Sequence, residues 1–231
     1  MKKKIFIACD TTSLSYVNKI IKNTKTDKLD IFYKFGLEFY SSKFGRIFLS
    51  KIKGKKKKIW LDVKLFDIPN TVSSSINSLK DLKKINYLTV HVSGGFEMMR
   101  AAKKTAKKIN KNLKILGVTV LTSFSEKSLR EIGYTKNIKQ IVLKQATLAK
   151  RSGLDGIVCS GYEAQYVKKI CKGMEIITPG IRMINDNKND QKRVMTPIKA
   201  FMNGATGIVI GRSITTGNIK NNIQKLIKSL K

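Results

Sequence analysis

Leu61-Asp62-Val63-Lys64-Leu65-Phe66-Asp67-Ile68-Pro69-Asn70-Thr71 carries an apolar run into a charged turn. Asp62 and Lys64 stand two apart, so on a strand both side chains leave the same face. Asp67 follows in a loop stiffened by Pro69, and Thr71 reads as the N-cap of a helix that comes next. Short β-branched runs of this kind recur along the chain. They are Ile5 to Cys9, Ile31 to Phe35, Ile59 to Val63, Tyr87 to Val92, Lys114 to Val120, Gly156 to Cys159, Glu175 to Thr178 and Gly207 to Ile210. Each is bounded by polar or glycine-containing segments, which suits strands buried on both faces.

Between the runs lie segments with helical spacing, such as Leu14, Val17, Ile20 and Ile21; Ile76, Leu79, Leu82 and Lys83; and Ile138, Ile141, Val142 and Gln145. Strands alternating with helix-length segments imply βαβ units and a parallel sheet. Eight alternations favour an α/β fold closed as a (β/α)8 TIM barrel, with an open doubly wound sheet as the main rival. The length of 231 residues suits one such barrel. No linker or internal repeat divides it, so residues 1–231 are expected to form a single domain.

The apolar share of 42% is enough for a sizeable core, yet no run approaches the roughly 20 apolar residues that span a bilayer. The basic entry Met1-Lys2-Lys3-Lys4 resembles the start of a signal peptide, but its apolar stretch stops at Asp10 and reads as a first strand. Cys9, Cys159 and Cys171 are odd in number and lack CxxC spacing, which points to free thiols and a cytoplasmic protein. The formal charge of +32, from 47 Lys+Arg and 15 Asp+Glu, would attract any polyanion. The lysines are scattered, with few aromatics among them and no nucleic-acid-binding motif. Biased surface composition therefore explains them better than a specific nucleic-acid partner.

In such barrels, chemistry gathers at the C-terminal ends of the strands. Asp10, Lys34, Asp62 with Lys64, Thr122, Arg182 and Arg212 all fall at or just past expected strand ends. Two ammonium and two carboxylate groups in one mouth can satisfy each other, so none is buried as a lone charge. A purely structural ion network would be the better reading of an isolated Asp-x-Lys. Asp10, Lys34, Asp67 and the Pro-Asn-Thr turn in the same chain reverse that preference.

The stretch Asp62 to Thr71 resembles the signature of the orotidine 5'-phosphate decarboxylase family. The likeness runs in order through Ala8-Cys9-Asp10, Lys34-Phe35-Gly36, Thr89-Val90-His91 and Val118-Thr119-Val120-Leu121-Thr122-Ser123. It continues through Thr178-Pro179-Gly180-Ile181-Arg182, Asp190-Gln191-Lys192-Arg193 and Ile210-Gly211-Arg212-Ser213-Ile214-Thr215. This resemblance implies conversion of orotidine 5'-phosphate to uridine 5'-phosphate and CO2, in pyrimidine biosynthesis, with no cofactor and no metal. Lys64 would protonate C6, Asp62 would face the substrate carboxylate, and Lys34 and Asp67 would hold the array in register. Asp10 would bind ribose hydroxyls, Thr122 and Ser123 the base edge, and Arg182, Gln191, Gly211 and Arg212 the phosphate. It further implies a homodimer in which Asp67 and Thr71 reach the neighbouring site, and it places Ile68 in the substrate-binding set.

Two departures from the family pattern stand out. Ser213 occupies a place where proline commonly follows the Gly-Arg pair. The polar segment Met183 to Lys192, expected to form a lid over the phosphate, is unusually rich in asparagine. His91, the sole histidine, falls inside an expected strand and suits a packed or hydrogen-bonded role. Trp60 suits the core, and Gly94-Gly95 a strand-to-helix turn. The nearest rival is a magnesium-dependent barrel enzyme acting on a sugar phosphate. Its relatives also carry Asp-x-Lys-x-x-Asp, but with a carboxylate where this chain has Lys34, whose charge would repel the cation.

Overall fold

Alternation within the strands decides what fills the barrel. The computed structural model describes residues 2–52, 58–184, 186 and 193–230. The strands are β1 (Lys4–Ala8), β2 (Asp30–Gly36), β3 (Ile59–Leu65), β4 (Ile85–His91), β5 (Lys114–Val118), β6 (Gly156–Val158), β7 (Glu175–Thr178) and β8 (Gly207–Ile210). They form a closed barrel in sequential order, every neighbouring pair parallel. The TIM-barrel expectation holds, and the open-sheet alternative falls.

Between the strands run α1 (Leu14–Asn23), α2 (Leu37–Tyr40), α3 (Gly45–Lys51), α4 (Pro69–Asn77), α5 (Gly95–Ile109), α6 (Glu126–Glu131), α7 (Ile138–Arg151), α8 (Gly161–Ile170) and α9 (Pro197–Met202). After β8 come α10 (Arg212–Thr215) and α11 (Ile219–Ser229). None of the helices is long and apolar enough to cross a membrane among the described residues.

In β1, Ile5 and Ile7 pack outward against the helices, while Phe6 and Ala8 point into the barrel. The interior plug is aromatic: the Phe6 ring lies 4.9 Å from Phe32, 4.8 Å from Trp60 and 5.3 Å from Tyr87, mostly edge-on. Trp60 is core, as expected. Above this plug the interior residues shrink to Ala8, Val118, Val158 and Val209, which leaves room for a cavity at the C-terminal end.

Below the plug, a polar floor closes the opposite end. Lys4 Nζ reaches Glu175 at 2.6 Å and the Tyr87 hydroxyl at 2.8 Å; that hydroxyl donates to Glu175 at 3.0 Å, and Lys114 also pairs with Glu175. Burial pushes the Glu175 carboxyl up, but hydrogen bonds and charges from Lys114 and Lys4 outweigh it and hold it below its ordinary 4.5. Its contribution to stability is therefore present above that ordinary value and lost as pH falls through the depressed one. Glu175→Ala, which strands two ammonium groups and a phenol, is expected to cost about 1–3 kcal/mol at neutral pH. Urea titration would check this, with a midpoint deficit that shrinks in acid.

Two details correct the sequence reading. Thr71 is not an N-cap: α4 starts at Pro69, with Ile68 as the cap residue. Proline suits the first helical position because its missing N–H would be unpaired there anyway, so the helix begins three residues early. The helical spacing through Leu82 and Lys83 also overreaches, since α4 ends at Asn77 and turns follow. Gly94-Gly95 does make the strand-to-helix turn, Gly95 taking φ +84° at the head of α5. The three cysteines are free and buried.

Candidate active site

Asp62 is the centre of the charge array. Its Oδ2 lies 3.1 Å from Lys64 Nζ and 3.4 Å from Lys34 Nζ, and Lys34 reaches on to Asp10 Oδ1 at 3.2 Å. Lys34 comes from β2, Asp62 and Lys64 from β3, and Asp10 from the loop after β1. Burial alone pushes the Asp62 carboxyl up, but the charges of Lys34 and Lys64, with hydrogen bonds from Lys64 and Thr89, outweigh it and keep the carboxylate ionised. Burial pulls Lys34 down, and the Asp62 and Asp10 charges overcome that pull, so its ammonium titrates above the ordinary lysine value.

Plain strand alternation does not fully account for this arrangement. Along β3 the pairing with β4 runs Leu61↔Leu88 and then jumps to Leu65↔Val90. Asp62, Val63 and Lys64 thus bulge opposite the single Thr89. A bulge of this kind re-aims a side chain and is common beside active sites. Lys64 takes φ +48°, the one positive φ outside glycine among the described residues. A left-handed backbone is costly for a residue with a β-carbon, and such strain persists only where surrounding contacts impose it.

The array forms one wall of a cavity of about 460 Å³, within the usual range for small-molecule sites. Asp10, Lys34, Asp62, Lys64, Thr122, Arg182, Gly211 and Arg212 all line it. Gly211 stands beside the array, and a Cβ there would lie 3.4 Å from Ala8 Cβ and 3.9 Å from Asp10 Oδ2, ordinary contact distances. Arg182 is positioned by a strand-like clasp, its amide donating to Met195 O at 3.1 Å while Met195 N donates to Gly180 O at 3.1 Å. The ion pair of Arg193 with buried Glu163 ties the same stem to α8.

Other expected site residues stand apart. Asp67, Ile68 and Thr71 are exposed on the loop and first turn after β3, and Asp67 Oδ1 accepts from the Ile68 amide at 2.7 Å instead of joining the array. Gln191, and most of the expected lid from Met183 to Lys192, lies outside the described residues. Ser213 sits in the short α10, which begins at Arg212 directly after Gly211. His91 ends β4 with its ring 5.7 Å from Phe66, and its Nδ1 has no hydrogen-bond partner among the described residues. Burial and the nearby Lys64 charge hold its pKa below the ordinary value. Sequence reasoning assigned no role to Thr89, nor to Leu37, Trp60 and Pro179 in the cavity wall. A hydroxyl inside the apolar run Tyr87-Leu88-Thr89-Val90 was the available signal for Thr89.

Fold and site together define a (β/α)8-barrel enzyme whose mouth is lined by paired lysine and aspartate charges and by two arginines. The chain belongs to the orotidine 5'-phosphate decarboxylase / HUMPS family, whose model matches residues 3–223. It is 42% identical to the orotidine 5'-phosphate decarboxylase of Fusobacterium nucleatum, over 100% of this chain and 96% of that protein. Identity is also 42% to the enzyme of the same name from Wolbachia pipientis subsp. Culex pipiens, covering 98% of both. The crystal structure of orotidine 5'-phosphate decarboxylase from Lactobacillus acidophilus superposes with a TM-score of 0.83 at 33% identity, covering 100% of both chains.

Proposed function

We propose that this chain decarboxylates orotidine 5'-phosphate to uridine 5'-phosphate and CO2, in de novo pyrimidine biosynthesis, with Lys64 as the proton donor and no cofactor. The observation that carries the reading is the sharing of Asp62 Oδ2 by the Lys34 and Lys64 ammonium groups in the wall of a nucleotide-sized cavity.

With the pyrimidine C6 beside Lys64, the bond from C6 to the carboxylate breaks and its electron pair stays on carbon. The Lys64 ammonium stabilises that charge through a preorganised field. It then transfers a proton to C6, and the neutral amine is reprotonated from water. Asp62, held ionised by its two lysines, faces the substrate carboxylate, and their repulsion is relieved as CO2 leaves. Lys34 fixes Asp62 and binds ribose with Asp10, while Thr122 and Ser123 meet the base edge. Arg182, Gly211 and Arg212, with Gln191, hold the phosphate, and that remote binding energy organises the reacting end.

The working unit is a homodimer: Asp67 and Thr71 complete the neighbour's site, and Ile68 between them contacts substrate. One (β/α)8 domain carries the activity, and the free thiols support a reducing cytoplasm as its setting. The magnesium-dependent alternative is disfavoured by the same geometry, because two ammonium groups already crowd Asp62 where a divalent cation would need oxygen ligands. Purified, metal-stripped protein is expected to consume orotidine 5'-phosphate, followed by its ultraviolet absorbance, at a rate unchanged by EDTA. No turnover, or strong inhibition by the chelator, would overturn the assignment.

A further inference from the structure

Thr89 is fully buried on β4, opposite the β3 bulge. Its Oγ1 accepts a hydrogen bond from the Lys64 amide at 2.9 Å and donates to Asp62 Oδ1 at 3.0 Å. The direction of each bond is fixed by chemistry. An amide can only donate and an ionised carboxylate can only accept, so the one hydroxyl proton is committed to Asp62. The bulge removes the Lys64 N–H from the regular ladder, and Thr89 supplies the acceptor that a buried amide needs.

The two carboxylate oxygens of Asp62 divide their partners. Oδ2 meets both lysines and Oδ1 meets Thr89. The hydroxyl therefore fixes the carboxylate rotation that presents Oδ2 to Lys34 and Lys64 together. At the same time it holds the left-handed backbone from which the Lys64 side chain departs. A β-branched residue suits the task, since its χ1 is stiff and the hydroxyl cannot swing away.

We propose that Thr89 is a positioning residue for the decarboxylation: one hydroxyl ties the Lys64 backbone to the Asp62 carboxylate and sets the distance and angle between the two charges. This role rests on the function proposed above. Thr89 contacts no substrate, so its loss acts on the chemical step and spares binding.

Thr89→Val keeps the shape and removes the hydroxyl. It is expected to lower kcat for orotidine 5'-phosphate roughly 10- to 100-fold, the effect of losing a hydrogen bond to a charged group. KM for that substrate and Kd for uridine 5'-phosphate should stay within about threefold, because the phosphate and ribose contacts are untouched. Thr89→Ser, which restores the oxygen, should recover most of kcat. Thr89→Ala and Thr89→Ser differ by one oxygen, so that pair makes the same comparison if the valine variant does not fold.

A wild-type kcat in Thr89→Val, or serine and alanine variants equally impaired, would overturn the positioning role. So would a parallel loss of uridine 5'-phosphate binding, the mark of a merely structural residue. Wild-type protein inert toward orotidine 5'-phosphate would instead remove the functional reading itself, and Thr89's role with it.

Discussion

Lys64→Ala is expected to lower kcat for orotidine 5'-phosphate by at least about 10,000-fold, since one ammonium serves both as electrostatic stabiliser and as proton donor, worth roughly 100- to 1,000-fold and 100- to 10,000-fold. The fold should survive. The Lys64 side chain is 32% exposed at the mouth, so its truncation leaves no sealed core cavity. Asp62 keeps the Lys34 ammonium at 3.4 Å and the Thr89 hydroxyl at 3.0 Å, so no carboxylate is stranded. Alanine inherits the φ of +48° together with the amide bond to Thr89 that imposes it. Circular dichroism and thermal melting should therefore match wild type within a few degrees while turnover vanishes. A variant retaining a tenth of wild-type kcat would refute the proton-donor role.

That prediction depends on residues whose placement was largely legible in the sequence. Charged side chains at the ends of apolar runs are anomalous unless the run ends at a barrel mouth, and Asp10, Lys34, Asp62 and Lys64 do converge there. The strand positions were legible for a related reason. Parallel strands buried on both faces leave continuous β-branched runs, and each expected run overlaps an observed strand, with Glu175–Thr178 and Gly207–Ile210 matching to the residue.

What stayed hidden was set by contacts between distant segments. The bulge in β3 arises from its pairing with β4, and no local pattern announces a lysine with positive φ. Thr89 could be seen as a hydroxyl among apolar neighbours, but its two partners lie 25 and 27 residues away. The start of α4 was misread because threonine is a good cap and proline a good first residue, and here the proline prevailed. Asp67 and Thr71 are a different case, since their expected roles lie in another subunit's site.

Asp67 carries the second large prediction. Asp67 is exposed between Phe66, 62% exposed, and Ile68, 65% exposed. Two large apolar side chains flanking an acid beside the cavity mouth are a costly surface for a lone protomer and a suitable one for a symmetric partner to cover. If Asp67 completes the neighbouring array, Asp67→Ala should lower kcat roughly 100-fold, as for loss of one preorganised electrostatic group. The decisive experiment combines it with Lys64→Ala. In a heterodimer of the two variants, one site carries both lesions and the other carries neither. Equal amounts refolded together should then recover about one quarter of wild-type turnover, because half of the dimers are mixed and each has one intact site. Both parents fall far below that level. A mixture no more active than the average of its parents, or an Asp67→Ala variant as fast as wild type, would confine the chemistry to a single chain and leave Asp67 a surface residue of its own loop.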